Sequence, residues 1–178
     1  MRMLKRILTI LIALIVVLAC VSFVFPRQVK VERSIEIDAP ISVVFVQLNG
    51  LKSMADWSPW LGSDPDIKLD YSGPETGVGA KLVWSSDHPN VGSGAQEIIE
   101  MVENVKVVSE LDFGARGAAI AAFTFDDVGE KTNVTWSLET DMGASPVGRY
   151  MGLLMDRMVG ADYEKGLESL KAMIEANG

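Results

Sequence analysis

Cysteine and histidine are almost absent from this sequence of 178 residues, which holds one of each, Cys20 and His88. Cys20 lies inside an apolar run near the N-terminus, so the rest of the chain has no thiol and cannot depend on disulfide bonds. A lone histidine without a nearby cysteine also excludes the usual zinc patterns. We therefore expect neither a metal site nor a cofactor.

Basic charge is scarce as well. Residues 27–178 contain all 24 acidic residues of the chain and only 13 of its 16 basic ones, a formal net charge of −11. A protein that binds nucleic-acid phosphates needs a basic face, which this balance does not provide. The composition argues against a nucleic-acid partner, and it favours a soluble domain that stays off anionic lipid head groups.

Charge is missing altogether from Ile7 to Phe25, a run of 19 residues. As a helix that rises about 1.5 Å per residue, this run is about 28 Å long and spans a bilayer core. A cleaved signal peptide would have a shorter apolar region that ends at a small-x-small site, whereas this run continues past any such site. The pattern predicts an N-terminal transmembrane anchor over residues 1–26 and one domain over residues 27–178.

The stretch Val17 to Cys20 also resembles a loose bacterial lipobox, so lipid attachment at Cys20 is the alternative form of anchor. The residues that follow Cys20 stay hydrophobic where a lipoprotein would turn polar, which favours the uncleaved helix. Three basic residues lie on each side of the run, so the positive-inside bias is weak, and the short N-terminal tail decides the prediction. It places the N-terminus in the cytoplasm and the domain in a periplasmic or other extracytoplasmic space.

Alternating and helical patterns predict an α+β domain. Lys30 to Asp38 alternates apolar and polar residues as a half-buried strand does, with Arg33 as an interruption that we expect to reach solvent. Two short helices follow, over Ile41–Leu48 and Leu51–Asp56, and Pro59 prevents the second from continuing. Turn residues then separate six further strands, which form an antiparallel meander: Ile67–Tyr71, Gly79–Trp84, Gln96–Val102, Val105–Phe113, Ala118–Phe125 and Asn133–Thr140.

The last 30 residues are predicted to be helical and carry two apolar stripes. The first stripe consists of Val147, Met151, Leu154 and Met158, and the second of Val159, Tyr163, Leu167, Leu170 and Ile174. At about 100° per residue, the two stripes lie on nearly opposite sides of one straight helix. Because glycine is a poor helix former, the sequence predicts a kink or break near Gly160, between the stripes.

Three segments resemble the polyketide cyclase/dehydrase-like branch of the START and Bet v 1 superfamily: DPDIKLDYSGPETGVGAKLVW, TNVTWSLE and MVGADYEKGLESLKAMIE, at residues 64–84, 132–139 and 158–175. The resemblance covers about residues 29–176. It implies a helix-grip fold, in which a seven-stranded antiparallel sheet curves around the C-terminal helix. It also implies an apolar cavity between the two, which various members use to bind lipids, hormones or polyketides.

Two tryptophans three residues apart, Trp57 and Trp60, fall where the second short helix ends. In a helix-grip fold at least one of them could cover the cavity mouth, and the alternative is that both rings pack the short helices onto the sheet. Our candidate ligand contacts are the large or adaptable apolar side chains of this region, the strands and the C-terminal helix. They are Trp57, Trp60, Trp84, Phe113, Trp136, Met151 and Met155.

These residues predict a membrane-anchored domain that binds a hydrophobic small molecule or lipid-like ligand without catalytic groups. An enzyme of cyclase, dehydratase or hydrolase type is the first alternative, with His88 or an inward-facing Glu97 as acid or base. The second alternative is a protein-interaction module without a cavity, as in the related activators of the Hsp90 chaperone. The sequence identifies no protein partner.

Overall fold

Seven strands form a single antiparallel sheet in the order β1-β7-β6-β5-β4-β3-β2, in a computed structural model that describes residues 2–89 and 91–177. Met1, Asn90 and Gly178, which the predicted domain limits include, lie outside the described residues. The strands are β1 (Gln28–Ile37), β2 (Lys68–Ser72), β3 (Lys81–Ser85), β4 (Ser93–Val102), β5 (Lys106–Asp112), β6 (Ala118–Asp127) and β7 (Thr132–Asp141). The helices are α1 (Arg2–Ser22), α2 (Ile41–Phe45), α3 (Met54–Trp57), a 3₁₀ turn at Gly114–Arg116, and α4 (Pro146–Ala176).

This order confirms the predicted α+β helix-grip fold. The meander from β2 to β7 pairs each strand with the next, and β1 closes the sheet by pairing with β7 over its whole length, from Gln28↔Asp141 to Ile37↔Thr132. The two edges are therefore β1 and β2. The short helices α2 and α3 lie in the connection between these two strands.

Alternation along the strands divides the sheet into an inner face that packs on α4 and an outer face in solvent. On β7, for example, Val134, Trp136 and Leu138 are buried, while Asn133, Thr135 and Ser137 between them are partly exposed. Adjacent side chains of a strand point to opposite faces, so this one-in-two pattern identifies the inner positions of every strand. Among these inner positions on the seven strands, Arg33 of β1 and Asp127 at the exposed end of β6 carry a charge.

Helix α4 is continuous from Pro146 to Ala176, so a break near Gly160, one of the two predicted forms, is wrong, while a kink there stays a prediction. Ser145 caps its first turn by accepting a hydrogen bond from the backbone N–H of Gly148, with Pro146 in the first turn. The prediction assumed that both apolar stripes must be buried against the sheet. Only the second is, since Tyr163, Leu167, Leu170 and Ile174 are at most 4% exposed, whereas Val147, Met151, Leu154 and Met158 are at least 46% exposed.

Gly160 has a different role, because it allows Arg33 to cross the helix. A Cβ atom at position 160 would lie 2.5 Å from the Arg33 Cζ atom. The guanidinium donates hydrogen bonds to Asp156 Oδ1 at 2.9 Å and to Glu164 Oε1 at 2.6 Å, one turn on either side of Gly160. Arg33 reaches the partly exposed edge of the domain, with 25% of its side chain exposed, and there its ion pairs with Asp156 and Glu164 fasten edge strand β1 to α4.

Helix α1 extends from the domain and touches it near one end. Most of its apolar side chains are exposed, and its mean hydropathy of 2.6 and its 21 residues make it long and apolar enough to cross a membrane, criteria that a signal sequence also meets. The hydroxyl of Tyr150 on α4 donates to the Leu18 carbonyl at 2.9 Å, and Arg149 donates to the Phe25 carbonyl at 2.8 Å. These contacts fix the end of α1 beside the first turns of α4.

Candidate functional site

Five aromatic rings form one cluster between the middle of the sheet and α4. Trp136 of β7 stacks on Tyr163 of α4 with ring centroids 3.8 Å apart and planes at 9°, and on Phe123 of β6 at 5.0 Å. Trp57 packs edge-on against Trp136 at 5.4 Å, and Trp60 against Trp136 at 5.7 Å. Three of the predicted ligand contacts, Trp57, Trp60 and Trp136, are thus brought together, and they join α3 and the loop after it to the sheet.

Trp57 and Trp136 are each only 3% exposed, so in this structure their faces are covered largely by neighbouring protein. Trp60 is partly exposed at the edge of the cluster. The indole N–H of Trp57 is buried and has no hydrogen-bond partner among the described residues. Burial also raises the pKa of the Tyr163 hydroxyl far above its ordinary value, which keeps this group neutral.

A second aromatic pair lies at the other side of the inner face. Trp84 of β3 and Phe113, which follows β5, meet edge-to-face with centroids 6.0 Å apart. The Trp84 ring lies across Gly94 of the neighbouring strand, where a Cβ would be 2.5 Å from the indole. Glycine at position 94 is therefore required for this placement of Trp84.

The inner face between the two aromatic groups is built from small side chains, which our sequence analysis did not single out. Ala119 and Ala121 occupy the two inner positions of β6 that precede Phe123. Ala121 is paired with Ser109 of β5. Leu111, the next inner residue of β5, is paired with Gln96 of β4. The sequence AAIAAF at residues 118–123 carried the signal for this small-residue surface, because its inner positions 119 and 121 are both alanine.

Gln96 and Ser109 are the polar members of this surface. Their side chains belong to residues that are 6% and 5% exposed, and neither makes a side-chain hydrogen bond with any described residue. They are diagonal neighbours on paired strands, a relation that separates side chains by roughly 7–8 Å. Among the described residues, the fully buried side-chain nitrogen and oxygen atoms without a partner are Trp57 Nε1 and Arg149 Nε, so the polar atoms of Gln96 and Ser109 keep some access to the space above the sheet.

The two methionines predicted as ligand contacts lie in different surroundings. Met155 is partly buried and packs against the core, on the side of α4 that approaches the sheet. Met151 is 46% exposed and belongs to the outward stripe, so the structure places it away from the space between sheet and helix. The reason is the helical period, since Met151 shares its face with Val147, Leu154 and Met158 and not with Tyr163.

Neither acid/base candidate faces the interior. Glu97 lies on the outer face of β4 and forms an ion pair with Lys81 at 3.1 Å, so the inward position considered for it is wrong. His88 lies in the loop between β3 and β4, where its backbone N–H donates to Ser86 Oγ at 2.9 Å. Ser86 in turn donates to the Asp64 carboxylate, and this hydrogen bond is the main cause that lowers the pKa of Asp64. The arrangement fastens two loops together.

Two depressions open elsewhere on the domain. One of about 510 Å³ lies on the outer face of the sheet over β1, β7 and β6, and one of about 200 Å³ lies beside β2 and the loop after α2. Both are outside the space between the inner face and α4. Neither is lined by any of the seven predicted ligand contacts.

Sheet order, inner face and C-terminal helix together define a helix-grip domain. Residues 28–175 match the model of the family described as polyketide cyclase/dehydrase and lipid transport, and the chain belongs to this family. A search of the curated proteins found no match.

Solved structures with low sequence identity share the fold. A protein from Nitrosospira multiformis is 19% identical with a TM-score of 0.61, over 84% of this chain and 99% of that one. Norcoclaurine synthase from Thalictrum flavum, solved with dopamine and hydroxybenzaldehyde, is 12% identical with a TM-score of 0.67, over 85% and 88% of the two chains. The di-domain ARO/CYC protein StfQ from the steffimycin biosynthetic pathway is 10% identical with a TM-score of 0.63, over 84% and 51%.

Proposed function

We propose that this protein is a membrane-anchored binding domain for a neutral hydrophobic or lipid-like molecule, which it holds between the inner face of the sheet and α4. One observation carries the proposal: Gln96 and Ser109 are diagonal neighbours on an otherwise apolar inner surface, no described residue hydrogen-bonds their side chains, and their polar atoms are not sealed off. A ligand hydroxyl or carbonyl would satisfy both groups, since an amide and a hydroxyl can each donate and accept. Ligand sites typically combine an apolar lining with a few such polar groups.

The charge of the inner face supports a neutral ligand. The charged residues at inner positions of the described strands are Arg33, whose guanidinium is bound to Asp156 and Glu164, and Asp127, which is exposed at the end of β6. A buried carboxylate or ammonium group of a ligand would therefore lack a counter-charge, which is energetically unfavourable in an apolar site. A long-chain alcohol, ester or polycyclic ketone has the matching chemistry.

The inner face of the sheet also provides the residues that line the proposed ligand site. Ala119, Ala121 and Ser109 supply the small residues of the floor. Six of the predicted contacts remain in the proposed site, with the five-ring cluster on one side, the second aromatic pair on the other, and Met155 on the helix: Trp57, Trp60, Trp84, Phe113, Trp136 and Met155. In the proposed arrangement α1 anchors the domain in the bilayer with the domain on the extracytoplasmic side, so that the site remains close to a source of lipid.

Photocrosslinking tests the proposal. The full chain is reconstituted in lipid nanodiscs with a long-chain alcohol that carries a diazirine, and crosslinked peptides are identified by mass spectrometry. We expect labels on peptides of β5 and β6 in addition to labels on α1, which faces lipid. Labels confined to α1 would contradict ligand binding in the domain while leaving the anchor intact.

A matched pair of variants adds a second measure. Ala121→Leu places a larger side chain on the inner face, and Ala122→Leu places the same side chain on the outer face of the same strand. We expect Ala121→Leu to reduce labelling of β5 and β6 at least about fivefold and to keep the wild-type melting temperature, because empty space receives the added atoms. If the interior is instead filled by protein, overpacking destabilises Ala121→Leu by about 1–3 kcal/mol relative to Ala122→Leu.

A further inference from the structure

The first half of α4 presents an apolar surface that no described part of the domain covers. Val147, Met151, Leu154 and Met158 recur every three or four residues and lie within about 60° of one another around the helix axis, on the side opposite the buried stripe. At about 1.5 Å per residue, this stripe is about 16 Å long. Large exposed apolar patches mark interaction surfaces in soluble domains.

Contacts with α1 show how this surface is oriented. The Tyr150 hydroxyl binds the Leu18 carbonyl, and the Tyr150 ring packs on Phe25 with centroids 5.2 Å apart. Arg149 donates to the Phe23 and Phe25 carbonyls, and its guanidinium lies 5.0 Å from the centre of the Phe23 ring. Two consecutive residues of α4 thus fix the start of this helix against Leu18 near the end of α1 and against the residues that follow α1.

These contacts also determine the depth of α4 relative to a bilayer. Leu18 comes four residues before Ser22, the last residue of α1, which is about 6 Å along the helix, and seven before Phe25, the end of the apolar run. When the run from Ile7 to Phe25 spans the hydrocarbon, the Tyr150 hydroxyl therefore lies at least about 6 Å below its outer edge. Interfacial amphipathic helices bury their apolar face about 5–10 Å into the boundary of head groups and acyl chains.

Charge along α4 changes where the stripe ends. The segment 146–161 contains two arginines and one acidic residue, Asp156, which points toward the sheet and is bound to Arg33. The segment 162–176 contains four acidic residues and two lysines. Acidic residues, which anionic head groups repel, are therefore kept off the half of the helix that carries the stripe.

We infer that the first half of α4 lies on the outer leaflet of the membrane, with Val147, Met151, Leu154 and Met158 inserted among the lipid acyl chains. The occupant of the exposed stripe is thus the bilayer itself. The inference rests on the anchor in the proposed function and adds a second, peripheral contact to it. This contact fixes the orientation of the domain and brings Met155, one residue from the stripe, to the lipid surface.

Fluorescence quenching by lipids tests this contact in the full chain. In a Cys20→Ser background, a single cysteine is introduced by Leu154→Cys or Met158→Cys and labelled with the fluorophore NBD. The protein is reconstituted in phosphatidylcholine liposomes that carry a nitroxide on the acyl chain. We expect quenching at positions 154 and 158 to exceed that at a control site at least about threefold.

Val128→Cys is the matched control. Val128 is 50% exposed, nearly the same as Leu154 at 49%, but it follows β6 at the end of that strand far from α1. Equal quenching at positions 154, 158 and 128, in protein that floats with the liposomes, would overturn the inference and leave the anchor standing. Protein that fails to float would instead overturn the anchor on which the inference rests.

A second variant separates lipid contact from other causes of quenching. Met151→Glu places a charge within the stripe, at a position where the native side chain is 46% exposed. We expect it to reduce quenching at Met158→Cys at least about twofold and to leave the melting temperature unchanged. Unchanged quenching would contradict insertion of the stripe, because a carboxylate is not accommodated among acyl chains.

Discussion

Arg33 and Gly160 are matched, because the guanidinium of the one occupies the place that a Cβ atom of any other residue would take. Arg33 comes from the edge strand β1, crosses α4 at the glycine, and binds carboxylates one turn before and one turn after it. The helix and the first strand of the domain are joined at this point. Gly160, which suggested a weak point in the helix, is thus the position at which α4 contacts Arg33.

Because Arg33 and Gly160 are in contact, Gly160→Ala should have opposite effects on the free energy of unfolding with and without Arg33. Gly160→Ala alone should destabilise the protein by about 1–3 kcal/mol, because the guanidinium must move and lose its hydrogen bonds. In an Arg33→Ala background the same change should stabilise by up to about 1 kcal/mol, the ordinary gain of alanine over glycine within a helix. Denaturant unfolding followed by circular dichroism measures both.

Ala161→Gly at the neighbouring exposed position is the control for helix propensity alone, and should destabilise by about 1 kcal/mol in both backgrounds. If Gly160→Ala is equally destabilising with and without Arg33, the two residues are not coupled and the assignment of Gly160 as a crossing point is wrong.

Asp156 should titrate abnormally because of the same contact. Its hydrogen bond from Arg33 lowers the pKa of the carboxyl group below the ordinary value for aspartate. A carboxylate with a lower pKa in the folded than in the unfolded state stabilises the fold above the unfolded pKa, about 4, and this stabilisation is lost as the pH falls through the folded pKa. We therefore expect Arg33→Gln to raise the pKa of Asp156 toward 4, as measured by carboxyl NMR titration.

Glu175 is the internal control for that titration. Its pKa is lowered mainly by Lys171, and it also accepts a hydrogen bond from the Asp38 backbone N–H, none of which involves Arg33. Its pKa should not change in Arg33→Gln. A shift of both carboxyl groups would indicate a general change in structure and would contradict the local assignment.

Two buried hydroxyls should respond differently to removal. Thr132 is fully buried and donates to the Ala39 carbonyl at 2.7 Å, whereas the Tyr163 hydroxyl makes no hydrogen bond with the described residues. Thr132→Val should destabilise by about 1–3 kcal/mol, since a buried carbonyl loses its donor, and Tyr163→Phe should be neutral or stabilising. Thermal unfolding of both variants checks this contrast, and a large loss in Tyr163→Phe would show that the hydroxyl has a partner.

Gln96→Leu should separate stability from binding. Replacing the Gln96 amide, which makes no hydrogen bond with a described residue, by an apolar side chain of similar size should leave the ligand-free protein at least as stable as the wild type. Labelling of β5 and β6 by the diazirine alcohol should fall about fivefold to tenfold, since the hydrogen bond to the ligand is lost. Labelling by the corresponding alkane, which has no hydroxyl, should stay the same, and equal losses for both probes would contradict a polar contact at Gln96.

Alternation and turn residues were sufficient to predict the sheet. The apolar positions of β7 recur every second residue, and Gly or Asn-containing turns separate the strands, so the predicted segments differ from the observed ones by at most a few residues at each end. Fold class could be predicted because these signals are local and agree with one another. The long helix at the C-terminus was equally clear from its period.

The contacts that α4 makes could not be predicted in the same way. Arg33 and Gly160 are 127 positions apart, and only the pairing of β1 with α4 brings them together. The helical period puts Met151 opposite Tyr163, but it does not reveal which of the two apolar stripes of α4 packs on the sheet and which stays exposed. Gln96 and Ser109 were overlooked because single polar residues in strands normally lie on the solvent face.

Arg149 and Tyr150 turn the connection between helix α1 and strand β1 into a stiff joint. If α1 spans a bilayer as we propose, the contacts of α4 with both α1 and β1 hold one side of the domain toward the lipid. A molecule that leaves the bilayer would then reach the inner face without movement of the whole domain, and a molecule that arrives from the water would first meet the outer face of the sheet.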